Sequence, residues 1–350
     1  MSELPTDPSK EGPSRKRRPT MAEIARLAGV DISTVSRALS GSPRVAKETR
    51  DLIDTIVRET GYVVNQRARA LRDGKANQVL VISSDIAAPF YSDVVQGIVG
   101  TLAEHGINVL LGITLNQEKR EEQLGKQLLT GVVDGVITLT GNIPKPLLDI
   151  PDLNRRIVAV SRPIARDEVT SVTIDNYAAT REVMEYLYAM GHRRILYIGG
   201  PKFSQTYQDR NSAYVDFMRD KNLSEFTNTR STESFREDAE TGFEIMASVL
   251  EGGSSPTAVF CATDELAIGA MAAARRAGRT IPDDMSFFGF DDLKLTGLMS
   301  PPLSTVSVPR FEMGRRGAEA LFHQIYEGSD ASNKIVLGHH LVLRESVSHI

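Results

Sequence analysis

Residues 20–41 read TMAEIARLAGVDISTVSRALSG, two helical patterns separated by a glycine. Thr20 and Glu23 stand three apart, the spacing at which a hydroxyl and a carboxylate cap the first turn of a helix reciprocally. Ile24, Ala25, Leu27 and Ala28 follow at helical spacing, and Gly29 closes the segment because it enters the left-handed conformation at no steric cost. Asp31 is placed to cap a second short helix with Val35, Ala38 and Leu39 on its inner face, ended by Gly41, Ser42 and Pro43. The pattern predicts a third helix from about Lys47 to Glu59, with Leu52, Ile53, Ile56 and Val57 buried and Gly61 as its stop. Two short helices joined by a tight turn, with a third to complete the core, form the helix-turn-helix arrangement. The outward face of the second helix carries Ile32, Ser33, Thr34, Ser36 and Arg37. Small hydrogen-bonding groups and one forked donor suit the edges of bases in a major groove.

Charge points the same way. Residues 15–76 hold 14 Lys and Arg against 7 Asp and Glu, a balance of +7, in a chain whose total is −4. The remainder therefore carries −11, and a basic module on an acidic body suggests a polyanion at one end only. On charge alone the alternative is a solvated basic surface. Residues 1–18 are Pro, Ser, Gly and charge with little apolar content, and are expected to be a disordered tail whose RKRR run could add phosphate contacts. NQRARALRD at 65–73 has the pattern of one more short helix, with Ala68 and Leu71 on one side. So short a helix does not hold alone in water and needs DNA or a symmetric partner to order it.

From Val79 onward, apolar runs such as VLVIS, NVLLG, GVITL, RIVAVS, RILYIGG and TAVFCA alternate with amphipathic helices, VLVIS being followed by one from Asp93 to His105 and RILYIGG by one from Arg210 to Lys221, after which TAVFCA comes next. Short continuous apolar runs between helices predict parallel sheets covered on both faces, and their number predicts two doubly wound subdomains. A ligand then binds in the crevice outside the carboxyl ends of the strands. The expected division is a helix-turn-helix domain at 19–64, a hinge and linker at 65–76, and an α/β effector domain at 77–350. Within the last, one subdomain takes about 77–190 and 308–334, the other about 191–307 and 335–350.

Several classes are disfavoured. A single cysteine, Cys261, allows no internal disulfide framework, and its AVFCAT flanks read as a buried strand end. No window suits a membrane span and the start lacks an apolar secretory region, so a cytoplasmic location is expected. Neither G-x-G-x-x-G nor a Walker A motif occurs, and the six histidines lack metal-ligand spacing, so no cofactor or metal is expected. His192, in GHRRI, reads as structural.

The stretch TMAEIARLAGVDISTVSRALSGSPRVAKETRDLIDTIVRETGY, followed by NQRARAL, resembles the lac/galactose/purine repressor family of bacterial transcription regulators. GVVDGVI, GHRRILYIGGP, ATDELAIGAM, GFDD and LVLRESV extend the likeness to the C-terminal end. The resemblance implies a non-enzymatic regulator, chiefly a repressor, with a periplasmic-binding-protein-like body, a small-molecule effector and a homodimer on a pseudo-palindromic operator. It implies that Ile32, Ser33 and Arg37 approach bases, and Thr34 and Ser36 the backbone. Asn65 would cap the hinge helix, Ala68 would lie on its DNA side, and Leu71 would wedge between base pairs from the minor groove. Val64 departs from the family's usual Pro, and Ala46 from its usual capping Ser or Thr. For the effector, the resemblance points to Phe90 and Tyr91 in the turn after the first strand, then Arg162, Asp175, Arg210, Asp264 and Asp291. Aromatic faces mixed with Asp and Arg suit a carbohydrate or related metabolite. Asp264 could instead cap its helix. A periplasmic sugar-binding protein or a nucleotide or sugar enzyme on the same fold is the rival reading; neither accounts for the helix-turn-helix. The short stretch after the last predicted strand leaves no heptad helix, which favours a dimer over a tetramer.

Overall fold

A computed structural model of the chain describes residues 19–63, 74–85, 87–142, 147, 150–164, 166–201, 204–232, 237–328 and 334–350. These fall into two compact units divided between Gly74 and Lys75.

The first unit contains α1 (Met21–Ala28), α2 (Ile32–Leu39) and α3 (Lys47–Thr60). The Thr20 hydroxyl accepts from the Glu23 N–H at 3.3 Å, and Gly29 closes α1 at φ 64°. Asp31 occupies the cap position of α2 with extended backbone, but its side chain makes no capping bond, contrary to expectation. Ile24, Ala25, Val35, Ala38, Ile53 and Ile56 form the core. Leu27 and Leu52, expected inside, are 46% and 47% exposed. Leu52 is one helical step, about 100°, from Ile53, and three short helices enclose too little volume to cover so wide a stripe.

The second unit has two lobes, each a parallel sheet covered by helices. The larger sheet runs β11 (Lys334–Leu337), β5 (Thr170–Ile174), β4 (Ile157–Val160), β3 (Gly135–Thr138), β1 (Gln78–Ser83), β2 (Asn108–Ile113), and the smaller β7 (Asn228–Ser231), β6 (Ile195–Gly199), β8 (Ala258–Cys261), β9 (Ser286–Phe288). In chain order, the first lobe begins with β1 (Gln78–Ser83), α4 (Pro89–Glu104), β2 (Asn108–Ile113), α5 (Glu118–Leu129) and β3 (Gly135–Thr138). It continues through α6 (Pro151–Asn154), β4 (Ile157–Val160) and β5 (Thr170–Ile174). The second lobe holds α7 (Asn176–Ala189), β6 (Ile195–Gly199), α8 (Gln205–Asp220), β7 (Asn228–Ser231) and α9 (Ala239–Glu251). It then adds β8 (Ala258–Cys261), α10 (Asp264–Arg276) and β9 (Ser286–Phe288). The chain returns through β10 (Thr305–Ser307) and α11 (Arg310–Phe322) to β11 (Lys334–Leu337), and ends on β12 (His340–Val342), antiparallel to β10.

Two boundaries differ from the sequence reading. Residues 176–190 are expected in the first lobe, yet α7 packs on α8, with Arg181 on Asp220 at 2.7 Å and Tyr177 on Asp216 at 3.0 Å. Residues 335–337 are expected in the second lobe, yet they pair with β5 at the edge of the first. Both fall where the chain changes lobes, and the local pattern of a strand or helix does not say which sheet it joins.

The entry of the chain into this unit is held by one carboxylate. Asp134 accepts from the N–H groups of Ala76 and Asn77, each at 2.7 Å, and from the Tyr326 hydroxyl at 2.6 Å. The Lys75 ammonium lies 4.7 Å from the centre of the Tyr326 ring. No helix among the described residues is long and apolar enough to cross a membrane.

Candidate functional site

Two surfaces carry the residues singled out above. On α2, Val35 and Ala38 are buried against the small core, which turns Ile32, Ser33 and Arg37 outward and leaves Thr34 and Ser36 half-buried. Ile32 is 52% exposed, an apolar side chain that small core does not need. Arg37 bonds within its own helix, from Nε to the Ser33 carbonyl and from Nη2 to the Ser33 hydroxyl, both at 3.1 Å. Asn65, Ala68 and Leu71 lie outside the described residues.

The second surface is a cavity of about 430 Å³ between the lobes, where the carboxyl ends of both sheets face each other. The segment after β1 contributes Asp85, and the one after β4 contributes Arg162. From the other lobe come Tyr207 and Arg210 on α8, Glu237 before α9, Glu265 on α10 and Asp291 after β9. Phe90 and Tyr91 sit in the first turn of α4 and meet edge to face at 5.3 Å. The sequence reading puts them in a turn and starts the helix at Asp93; Pro89 at the first helical position begins it earlier.

Inside the cavity an ion pair spans the lobes. Arg162 Nη2 donates to both Glu237 oxygens at 2.9 and 3.0 Å, and the Tyr207 hydroxyl donates to the same carboxylate. Arg210 is buried, donates from Nε to Asn176 Oδ1 at 2.9 Å and to the Ala262 carbonyl, and stacks 3.5 Å from the centre of the Phe290 ring. Asp291 holds φ at 118° and the next residue, Asp292, at 55°, a strained pair of the kind that surrounding structure must enforce. Arg310 supplies that enforcement by donating to the carbonyls of both, while its guanidinium binds Asp93 at 2.9 Å. Burial pushes the Asp291 carboxyl well above its ordinary range, with Arg210 opposing. Burial and the neighbouring Asp238, Glu237 and Asp85 raise Glu265 to about 7.

Residues 20–65 match the family described as bacterial regulatory proteins, lacI family, and residues 184–347 match the periplasmic binding protein-like domain. The HTH-type transcriptional repressor CytR of Escherichia coli K12 is 32% identical over 328 residues, covering 93% of this chain and 96% of that one. The chain belongs to the lacI family. The HTH-type transcriptional regulator CelR of Thermobifida fusca is likewise 32% identical to this lacI-family chain, over 95% of it and 99% of the relative. A solved CelR–cellobiose complex superposes with a TM-score of 0.69 at 29% identity, covering 94% of this chain and all of that one. The fold is thus a lacI-type helix-turn-helix joined to a periplasmic-binding-like α/β body, and relatives with this architecture are transcription regulators.

Of the seven positions singled out for an effector, Phe90, Tyr91, Arg162, Arg210 and Asp291 line the cavity of the lacI-family body. Asp175 does not: it caps α7, accepting from the Ala178 N–H at 2.9 Å, and borders a different cavity. Asp264 is fully buried beneath the cleft, where it accepts from the Leu293 N–H at 2.8 Å and the Thr305 hydroxyl at 2.6 Å. It is not a helix cap either, because Thr263 takes that role on the Leu266 N–H. Burial raises its carboxyl to about 7. The sequence reading passes over Tyr207, Glu237 and Glu265. Glu237 precedes α9, a helix it does not predict, and Tyr207 stands in a first turn of α8 that it starts only at Arg210. The Asp238 cap of α9, followed by Phe243 and Met246, was the available signal. Cys261 ends β8 fully buried, with its thiol pushed up by burial. His192 is buried between the Thr257 hydroxyl and the Ser348 carbonyl, each at 3.1 Å.

Proposed function

We propose that this lacI-family regulator is a homodimeric repressor whose operator affinity is set by a neutral carbohydrate or related polyol held in the interlobe cleft. The observation that carries this reading is the Arg162–Glu237 pair, which joins the two lobes inside a cavity also lined by Phe90 and Tyr91. A ligand that takes over either partner changes what holds the lobes together, and only such a difference between two states can shift operator binding. Five carboxyl groups, those of Asp85, Glu237, Asp238, Glu265 and Asp291, face two guanidinium groups across this space. That balance, with Asp291 and Glu265 raised toward their neutral forms, disfavours an acidic ligand and favours one rich in hydroxyl donors. Cellobiose in the CelR complex is a ligand of that chemistry. We read the cleft as a binding site without turnover, in a cytoplasmic protein, as the regulators related to it suggest. Operator contacts fall to Ile32, Ser33 and Arg37 at bases and to Thr34 and Ser36 at the backbone.

The test begins with a thermal-shift screen of neutral sugars and polyols, since a ligand at about 100 times its dissociation constant adds roughly 2.7 kcal/mol of stability. With the best ligand in hand, Asp291→Ala and Arg210→Ala are expected to abolish its effect on operator affinity while operator binding without ligand stays near that of the parent. Permanent repression in the variants identifies an inducer; failure to repress identifies a corepressor. Undiminished ligand affinity in both variants would overturn the placement of the site.

A further inference from the structure

We propose that the second lobe contains a ligand site separate from the interlobe cleft, a cavity at the carboxyl ends of β6 and β7 that takes a small neutral polyhydroxylated molecule. This cavity, of about 520 Å³, lies between α8 and the sheet, within the size range of small-molecule sites. Gln208, Asn211 and Ser212 line it from the helix, and Thr229 and Ser231 from the edge strand. All are neutral amides or hydroxyls, and no charged side chain is among its described lining, whereas the interlobe cleft is crowded with charge. Hydroxyl groups that can donate or accept match the hydroxyls of a polyol, which also do both.

A second observation points to an occupant. Tyr197, on β6, borders the same cavity, is 1% exposed, and its hydroxyl has no hydrogen-bond partner among the described residues. Its ring is fixed by stacking on Tyr214 at 5.4 Å and by Phe260 at the same distance, so it cannot swing away to find one. Buried hydroxyls are nearly always paired, and one left over calls for a partner from outside the chain. Gly199 ends the strand and Gly200 follows it. A Cβ at Gly199 would stand 3.3 Å from that hydroxyl and 2.8 Å from the ring, so glycine keeps clear the space beside it. A ligand hydroxyl over Gly199 would complete the bonding of Tyr197. Tyr207 is a wall shared with the interlobe cleft, which makes it unsuitable for separating the two sites by mutation.

The experiment is saturation-transfer NMR on the full chain, with d-glucose and glycerol as probes. Asp291→Ala serves as the cleft-impaired background, Asn211→Phe fills the second cavity, and Tyr197→Phe removes only the orphan hydroxyl. Transfer to at least one probe is expected to persist in Asp291→Ala and to vanish when Asn211→Phe is added. Tyr197→Phe is expected to weaken that probe about tenfold, the effect of one hydrogen bond, while raising the melting temperature of the unliganded protein. No transfer in the Asp291→Ala background, or transfer unchanged by both Asn211→Phe and Tyr197→Phe, overturns the proposal. Should Asn211→Phe lower the melting temperature too far to be used, Tyr197→Phe decides alone, and equal probe affinity in that variant rejects the site.

Discussion

On α2, Arg37 is held, among the described residues, only by its own helix and Ile32 is half in solvent, whereas in the interlobe cleft Arg162 and Arg210 are each engaged by groups from other elements. A surface that meets a rigid polyanion gains from leaving its donors available, because phosphates and base edges arrive with acceptors already in place. A cleft whose occupancy must alter the protein gains from bonds that the occupant replaces, because coupling requires contacts that differ between states. Arginine is thus tied only locally where DNA contact is proposed, and bridged to other elements where a ligand is proposed.

Ionic strength separates the two regions most sharply. If six to ten phosphates are contacted, operator affinity should fall by about 10³–10⁵ between 50 and 200 mM salt. Affinity of a neutral ligand for the cleft should change less than about threefold over that range, since buried pairs are poorly screened. Parallel titrations by fluorescence anisotropy and calorimetry check this, and equal slopes would break the contrast. A smaller effect is expected at Arg37. Replacing it with alanine should cost roughly 1–3 kcal/mol against the preferred operator and relax preference at one base position, with ligand affinity unaltered. Binding to a panel of single-base operator variants measures both; a uniform loss across the panel would mean that Arg37 contacts phosphate instead.

The smallest effect concerns Glu265, whose carboxyl burial and neighbouring acids raise from 4.5 to about 7. A carboxyl with a raised folded-state pKa favours folding while it is protonated, below its unfolded value. That contribution is lost as pH climbs through the folded value. The melting temperature of the unliganded protein should therefore drift down between about pH 4.5 and 7, and Glu265→Gln should make the drift shallower, the buried Asp264 and Asp291 carboxyls supplying the rest. Calorimetry on the pair across this range tests it, and an identical slope in both would remove Glu265 from the account.

What was legible in the sequence follows from how far apart the cooperating residues lie. The helix-turn-helix rests on contacts within a few residues, Thr20 with Glu23 and Gly29 closing α1, so local rules reach it. Its errors, the idle Asp31 and the exposed Leu52, are matters of how three small helices finally pack. In the cleft, Arg162 and Glu237 are 75 residues apart, and no local pattern pairs them. Asp264 shows the converse: its sequence context suggests a cap or a ligand contact, and only the fold sets it beneath the loop that carries Asp291, tied to Leu293 and Thr305.

The carboxylate of Asp134 bears on how such regulators could be recombined. Because it grips the N–H groups of Ala76 and Asn77, and because Lys75 rests against Tyr326, the first residues after Gly74 belong structurally to the body. A foreign DNA-reading head is therefore best grafted ahead of Lys75. A splice inside β1 would exchange the residues that this clasp holds and leave Asp134 to find new partners.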